Sequence, residues 1–204
     1  KAWAPLAQKH GVIVLAPNFD AKKFKGARRY NLGHVFTGKG KMRAEEKWSF
    51  SAIDPVFDYV TDKIGNTQTH YTLYGHSAGA QFVHRFMYYK PDAKVKRFLM
   101  GNAGWYTMPD MNEPYPYGLK DAHISDHRLK TALGRDVVIL LGNKDINETH
   151  KSLRRTPEAM RQGKHRFARG QSFYDAGEAA AKAYGVTFGW KKKIVPGVSH
   201  SNKG

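Results

Sequence analysis

The chain of 204 residues contains no cysteine. Disulfides, thiolate metal sites and cysteine nucleophiles are therefore excluded. Acidic residues are scarce: 17 Asp+Glu stand against 34 Lys+Arg, a formal net charge of +17. Long apolar runs are also missing, and none approaches the roughly 20 residues of a membrane-spanning helix. No repeat, low-complexity block or linker breaks the pattern, so residues 1–204 read as one domain. There is no His-Glu-x-x-His and no phosphate-binding Gly-x-x-x-x-Gly-Lys-Ser/Thr loop. Gly38-Lys39-Gly40-Lys41 follows no strand and does not serve as one. His123 and His127 are spaced i,i+4, but without a third ligand they read as a solvated helix end. No metal and no cofactor is expected.

The basic excess favours anionic partners in general. Its clusters, at 22–29, 39–43, 154–169 and 191–193, are modest, and no zinc-finger, RNP or basic-zipper pattern accompanies them. A solvated basic surface is the simpler reading, and no nucleic-acid partner is expected. No signal peptide is visible at Lys1, where the residues already read as the middle of a helix, which leaves the compartment open.

What is present is alternation. Trp3, Leu6 and Ala7 give a helix over 2–9 that ends at His10-Gly11. The continuous apolar run at 12–17 predicts a strand buried on both faces. A long polar loop over 18–48 follows. Ile53, Phe57, Val60 and Ile64 mark a helix over 51–64, with Pro55 in its first turn. Strands are predicted at 70–75, 95–100, 136–141 and 186–195. Helices are predicted at 78–89, 125–133 and 172–184. Strands alternating with helices of this length predict an α/β fold, a mostly parallel sheet with helices on both faces. Sites in such sheets collect at the carboxyl ends of the strands.

One turn there carries chemistry. Gly75-His76-Ser77-Ala78-Gly79 lies between the strand at 70–75 and the helix from 78. In that context Gly-x-Ser-x-Gly makes a sharp, strained turn that lifts the serine hydroxyl in front of a helix N-terminus. Ser77 is the candidate nucleophile, and the backbone N–H of Ala78 the candidate oxyanion donor. His200 follows the last strand and is the candidate base. Asp145 follows the strand at 136–141 and is the candidate acid that orients the histidine. Asp110 is an alternative acid, with Asp121 and Asp126 weaker. Read alone, each member is ordinary: a helix cap, a turn residue, a surface histidine. Together, in the order Ser77, Asp145, His200, they follow the α/β-hydrolase arrangement. Trp105 and Tyr106 follow the strand at 95–100 and are candidate substrate-binding residues. Tyr115, Tyr117 and Phe19 could wall the pocket or simply pack. His76 reads as structural, directed away from substrate.

Three segments carry a family resemblance: Gly75-His76-Ser77-Ala78-Gly79-Ala80-Gln81, Asn102-Ala103-Gly104-Trp105-Tyr106 and Val195-Pro196-Gly197-Val198-Ser199-His200. They resemble bacterial α/β-hydrolase esterases related to polyhydroxyalkanoate depolymerases and feruloyl-esterase-like enzymes. The resemblance implies a metal-free serine hydrolase that cleaves small or polymeric carboxylic esters through an acyl-enzyme. It also implies eight strands, of which five are predicted here. The run at 12–17 resembles the fourth, so the strand and loop that carry a second oxyanion donor are expected to be missing. That run should then either collapse onto the nucleophile strand or leave a gap. The chain also stops four residues after His200, where a closing helix is expected. A peptidase of the same fold, and a basic polyanion-binding protein with a vestigial triad, are the competing readings.

Overall fold

A computed structural model describes residues 3–201. Four strands, β1 (Tyr71–His76), β2 (Val95–Gly101), β3 (Val137–Gly142) and β4 (Trp190–Val195), form a parallel sheet in the order β1-β2-β3-β4. The helices are α1 (Ala4–His10), α2 (Gly26–Arg29), α3 (Ile53–Lys63), α4 (Ala78–Tyr89), α5 (Asp126–Gly134), α6 (Pro157–Gln162) and α7 (Arg166–Tyr184). Each crossover steps one strand in the same direction. Right-handed connections therefore bring α4, α5 and α7 to one face, where α4 touches α5 and α5 touches α7. The strand residues on that face, Phe98, Met100, Val137, Ile139, Leu141 and Trp190, are buried. Leu99, Val138 and Leu140 on the opposite face are half-buried. On that side Trp3, just before α1, packs edge-on against Tyr74.

Two expectations about elements are corrected. The run at 12–17 is not a strand: Val12, Ile13, Val14 and Leu15 are all exposed, Ile13 by 65%. A strand needs a neighbour for its backbone N–H and C=O groups, and no described strand pairs with this run or with the outer edge of β1. The run does not collapse onto β1 as a paired strand. The last strand starts at Trp190 rather than 186. Residues 186–189 instead close onto helix ends, with Val186 N–H donating to Ala181 O and Gly189 N–H to Leu133 O. Residue 2 and the stretch 202–204 lie outside the described residues, so the start of the first predicted helix and the expected closing helix do too.

The loop at 18–48 is not a polar coil. It folds back, and the turn after it follows, so that Val35, Trp48 and Phe50 enter the core. Phe50 meets Phe82, Phe86 and Tyr89. As a result α4 is buried all round from Ala80 to Tyr89, not only along the stripe Phe82, Val83, Phe86 and Met87.

Part of the basic excess is structural. Arg169 is fully buried and donates to the carbonyls of Gly163, Gly104 and Arg154 at 2.7–2.9 Å, tying three segments together. Arg85 is also buried, donates to Thr107 Oγ1 and lies 4.2 Å over the Trp105 ring. Burial pushes both guanidinium groups down to about 10. Among the described residues β4 is an edge strand, and its exposed Lys191 and Lys193 discourage pairing with another chain.

His84 on α4 gives the fold a pH dependence. Its ring is fully buried; Nδ1–H donates to Ala80 O and Nε2 accepts from Thr107 N–H, each at 3.0 Å. Burial, and then the charge of Arg85, hold its pKa well below the ordinary value. The unfolded chain takes this proton near pH 6.5, so below that pH it binds more protons than the native state. Stability is therefore expected to fall as pH drops below about 6.5, by at most about 1.4 kcal/mol per pH unit from this site. Urea midpoints between pH 7.5 and 5 measure it. The slope should be shallower in His84→Gln, and an equal slope in both proteins would contradict this assignment.

Candidate active site

Ser77 joins β1 to α4 with φ 53° and ψ −113°, a region that side chains rarely adopt. The turn is held by Ser77 N–H donating to Gly101 O at 2.9 Å. Gly75 makes it possible: a Cβ there would fall 2.2 Å from Gly79 O. Gly79 has no such constraint, because its Cβ would meet only the Tyr30 hydroxyl at 3.7 Å. The strain therefore depends on one glycine rather than two. Ala78 is exposed at the first turn of α4, where backbone N–H groups have no partner within the helix.

The other two members arrive on loops after β3 and β4, and Asn102 holds those loops together. Its side-chain carbonyl accepts from Gly142 N–H at 2.9 Å and its amide donates to Ser199 O at 3.3 Å. Lys144 N–H donates to Val198 O. Gly142 allows this approach, since a Cβ there would lie 2.4 Å from Val198 O. The outcome is a continuous relay. His200 Nε2 lies 2.9 Å from Ser77 Oγ, and His200 Nδ1 lies 2.8 Å from Asp145 Oδ2. A carboxylate only accepts, so Nδ1 carries the proton and Nε2 is free to accept from the serine hydroxyl. The Asp145 side chain is 1% exposed and that of His200 18%. The relay is thus shielded at its acid end and open at its serine end.

Asp110 does not compete for this place. It is exposed and accepts from Asn112 N–H within its own turn. Asp121 is an exposed turn residue, and Asp126 opens α5, where it accepts from the Tyr184 hydroxyl. His123 lies in a turn before α5 and packs near Phe36, so it does not share a helix with His127. Among the described residues no group of three or more His, Asp or Glu is arranged to hold a metal ion.

The aromatic expectations fare differently. Tyr106 is fully buried and stacks on Phe173 at 4.3 Å, while Gln162 holds its backbone on both sides. It presents no surface to a substrate. Trp105 is 5% exposed and its ring lies 4.2 Å from the guanidinium of Arg85 and 5.3 Å from that of Arg154. Both residues follow a strand end, and both side chains are buried. Tyr117 packs on Trp105 and accepts from Arg154 Nε, Tyr115 packs on Phe36, and Phe19 packs on Tyr30 and Phe82.

Three residues near the relay were not given a site role from sequence. His76 lies beside the relay: its ring is 5.0 Å from that of His200, and its buried Nε2 has no hydrogen-bond partner among the described residues. Burial, and then the His200 charge, lower its pKa. His150 lies 6.0 Å from His200, ring to ring, on the loop after β3. Arg166, the first residue of α7, bonds to Asp145. The cue for α7 lay in His165, whose Nδ1 accepts from Ala168 N–H and caps the helix. The cue for the unpredicted α6 lay in Thr156-Pro157, a cap followed by a first-turn proline.

No protein-family model matches the chain, and a search of curated proteins returns no match. Solved structures do match. Poly(aspartic acid) hydrolase-1 from Sphingomonas sp. KT-1 is 46% identical with a TM-score of 0.96, covering 98% of this chain and 76% of that one. The poly(3-hydroxybutyrate) depolymerase LpqC from Bordetella parapertussis is 35% identical with a TM-score of 0.91, covering 97% of this chain and 67% of that one. With this identity over nearly its whole length, the chain belongs to the α/β-hydrolase family of depolymerase-like serine hydrolases.

Proposed function

We propose that this chain hydrolyses carboxylic esters, in a polymer or a small molecule, through an acyl-enzyme on Ser77. The observation that carries the proposal is the unbroken relay from Ser77 Oγ through both ring nitrogens of His200 to Asp145. Ser77 Oγ attacks the carbonyl carbon while its proton passes to His200 Nε2. Asp145 accepts from Nδ1–H and stabilises the imidazolium that forms. The developing oxyanion lies at the first turn of α4, where Ala78 N–H donates. Collapse breaks the ester C–O bond, and the leaving alcohol takes the proton from Nε2. Water then attacks the acyl-serine and gives a proton to His200 Nε2, which passes it to Ser77 Oγ as the acyl C–Oγ bond breaks and the acid leaves.

A second reading concerns the substrate, and charge favours it. The loops after β3 and before α7 carry exposed Lys144, Lys151, Arg155 and Lys164, and the chain has +17 overall. A polyanion with amide linkages, such as poly(aspartic acid), complements that surface. A polyanion binder with an idle triad is opposed by hydrogen-bond distances on both sides of His200.

The test is a substrate panel: p-nitrophenyl esters, poly(3-hydroxybutyrate), neutral peptide amides and poly(aspartic acid), each at low and high salt. Ester cleavage lost in Ser77→Ala supports the first reading. Raising salt from about 50 to 200 mM should leave KM for a neutral ester unchanged. For poly(aspartic acid) it should rise on the order of tenfold or more, because the Debye length shortens over that range. Hydrolysis of none of the four would contradict both readings. DNA or heparin retention that is salt-dependent and unchanged in Ser77→Ala, without any hydrolysis, would favour the idle triad.

A further inference from the structure

We infer that Arg166 is a positioning residue for this hydrolysis, locking the Asp145 carboxylate so that one chosen oxygen faces His200. The inference rests on the reading of Ser77, His200 and Asp145 as the reacting relay. Asp145 divides its two oxygens. Oδ2 faces His200 Nδ1 at 2.8 Å, and Oδ1 faces Arg166 Nη1 at 3.3 Å. Both side chains of the ion pair are almost fully enclosed, at 1% and 2% exposure. A carboxylate so deep needs a counter-charge, and a planar guanidinium supplies one with fixed direction. Arg166 is itself anchored. Its Nη2 donates to Ser152 Oγ at 2.9 Å and lies 3.2 Å from His150 Nδ1. Phe167 N–H donates to Asp145 O, so backbone and side chain fix the same residue from the start of α7.

The charge has a second consequence. Among the described residues, the groups around the His200 ring are Asp145, His76 and His150, with Arg166 behind the carboxylate. Arg166 is the permanent cation in that set. It neutralises part of the Asp145 charge that faces the His200 ring. Removing it should therefore move the acid limb of the kcat/KM profile upward.

The experiment uses the chain as it exists, with two variants, Arg166→Met and Arg166→Lys, on a p-nitrophenyl ester. Arg166→Met is expected to lose about 10²-fold in kcat with KM little changed. Its acid limb should rise by about one pH unit. Arg166→Lys keeps the charge but not the fork, so its limb should stay at the wild-type position while kcat falls about tenfold. An Arg166→Met protein with lower kcat but an unmoved limb would reduce Arg166 to a packing role and overturn the inference. So would wild-type kcat in either variant. Should the methionine variant not fold, the lysine variant decides alone: an unmoved limb with reduced kcat supports the proposal, and a shifted limb or wild-type kcat overturns it. Fluorophosphonate labelling of the unmutated chain keeps the two claims apart. No labelling at Ser77 would remove the relay itself. Normal labelling with unaffected Arg166 variants would remove only the role of Arg166.

Discussion

Replacing Ser77 by alanine is expected to lower kcat on an ester by about 10⁴–10⁶ and to leave the fold intact. The size follows from the chemistry. Without Oγ there is no acyl-enzyme, and only binding and the α4 N-terminus remain to assist water. The neutrality toward folding follows from the backbone. Ser77 already occupies φ 53°, and alanine meets the same strain there. His200→Ala should cost about as much, and the double variant little more, because the members of a relay act as a unit. Asp145→Asn should cost about 10⁴, since an amide can donate to Nδ1 and turn the ring to the wrong tautomer. Initial rates together with thermal melts measure all four proteins. Additive losses in the double variant would mean that the two side chains act separately.

Gly75→Ala is the second large effect, and it acts through packing. The added Cβ would fall 2.2 Å and 2.3 Å from the carbonyl oxygen and carbon of Gly79, and 2.7 Å from Ala80 N. These are backbone atoms at the start of a helix buried all round, so no flexible side chain can yield. The expected loss is about 3 kcal/mol, or roughly 6–12 °C in Tm for a chain of this size. Activity should fall as well, because the strand end and the helix start that hold Ser77 must separate. A misplacement of the nucleophile by about 1 Å costs on the order of 10² in rate. Gly79→Ala is the control. Its Cβ finds only ordinary contact, so the change should be neutral or stabilising by at most about 1 kcal/mol. Equal losses at both glycines would refute the account of the turn.

These two predictions also mark which features the sequence expresses. Ser77 was legible because its turn is local: strand, Gly-x-Ser-x-Gly and helix all lie within 20 residues. Asp145 and His200 were legible from a simpler regularity, that polar residues just past parallel strands meet at one edge. The strand at 12–17 was misread because a strand exists only with a partner, and its apolar pattern carries no information about one. The burial of Trp105 and Tyr106 was not legible for a related reason. Position after a strand locates the backbone at the site edge, but the direction of a ring depends on Phe173, Arg85 and Arg154, which come from elsewhere. His76 shows the same limit, since its ring lies beside His200 through contacts no local pattern encodes. Arg166 is the extreme case. Its surroundings combine residues 145, 150 and 152 around a helix start that the hydrophobic pattern placed six residues too late.

The basic charge gains a partial physical account. Some of it is internal, as in Arg85, Arg166 and Arg169, and some guards the edge of β4. The exposed remainder around the loops after β3 is what the salt dependence of poly(aspartic acid) cleavage probes.

The measurement closest to the central claim is reaction of the intact protein with a fluorophosphonate, followed by mapping of the modified residue and its rate against pH. The account predicts one modified residue, Ser77, with a rate that declines as His200 takes up a proton and collapses in His200→Gln. A label on a different residue, or labelling of Ser77 at an unchanged rate without the imidazole, would contradict it.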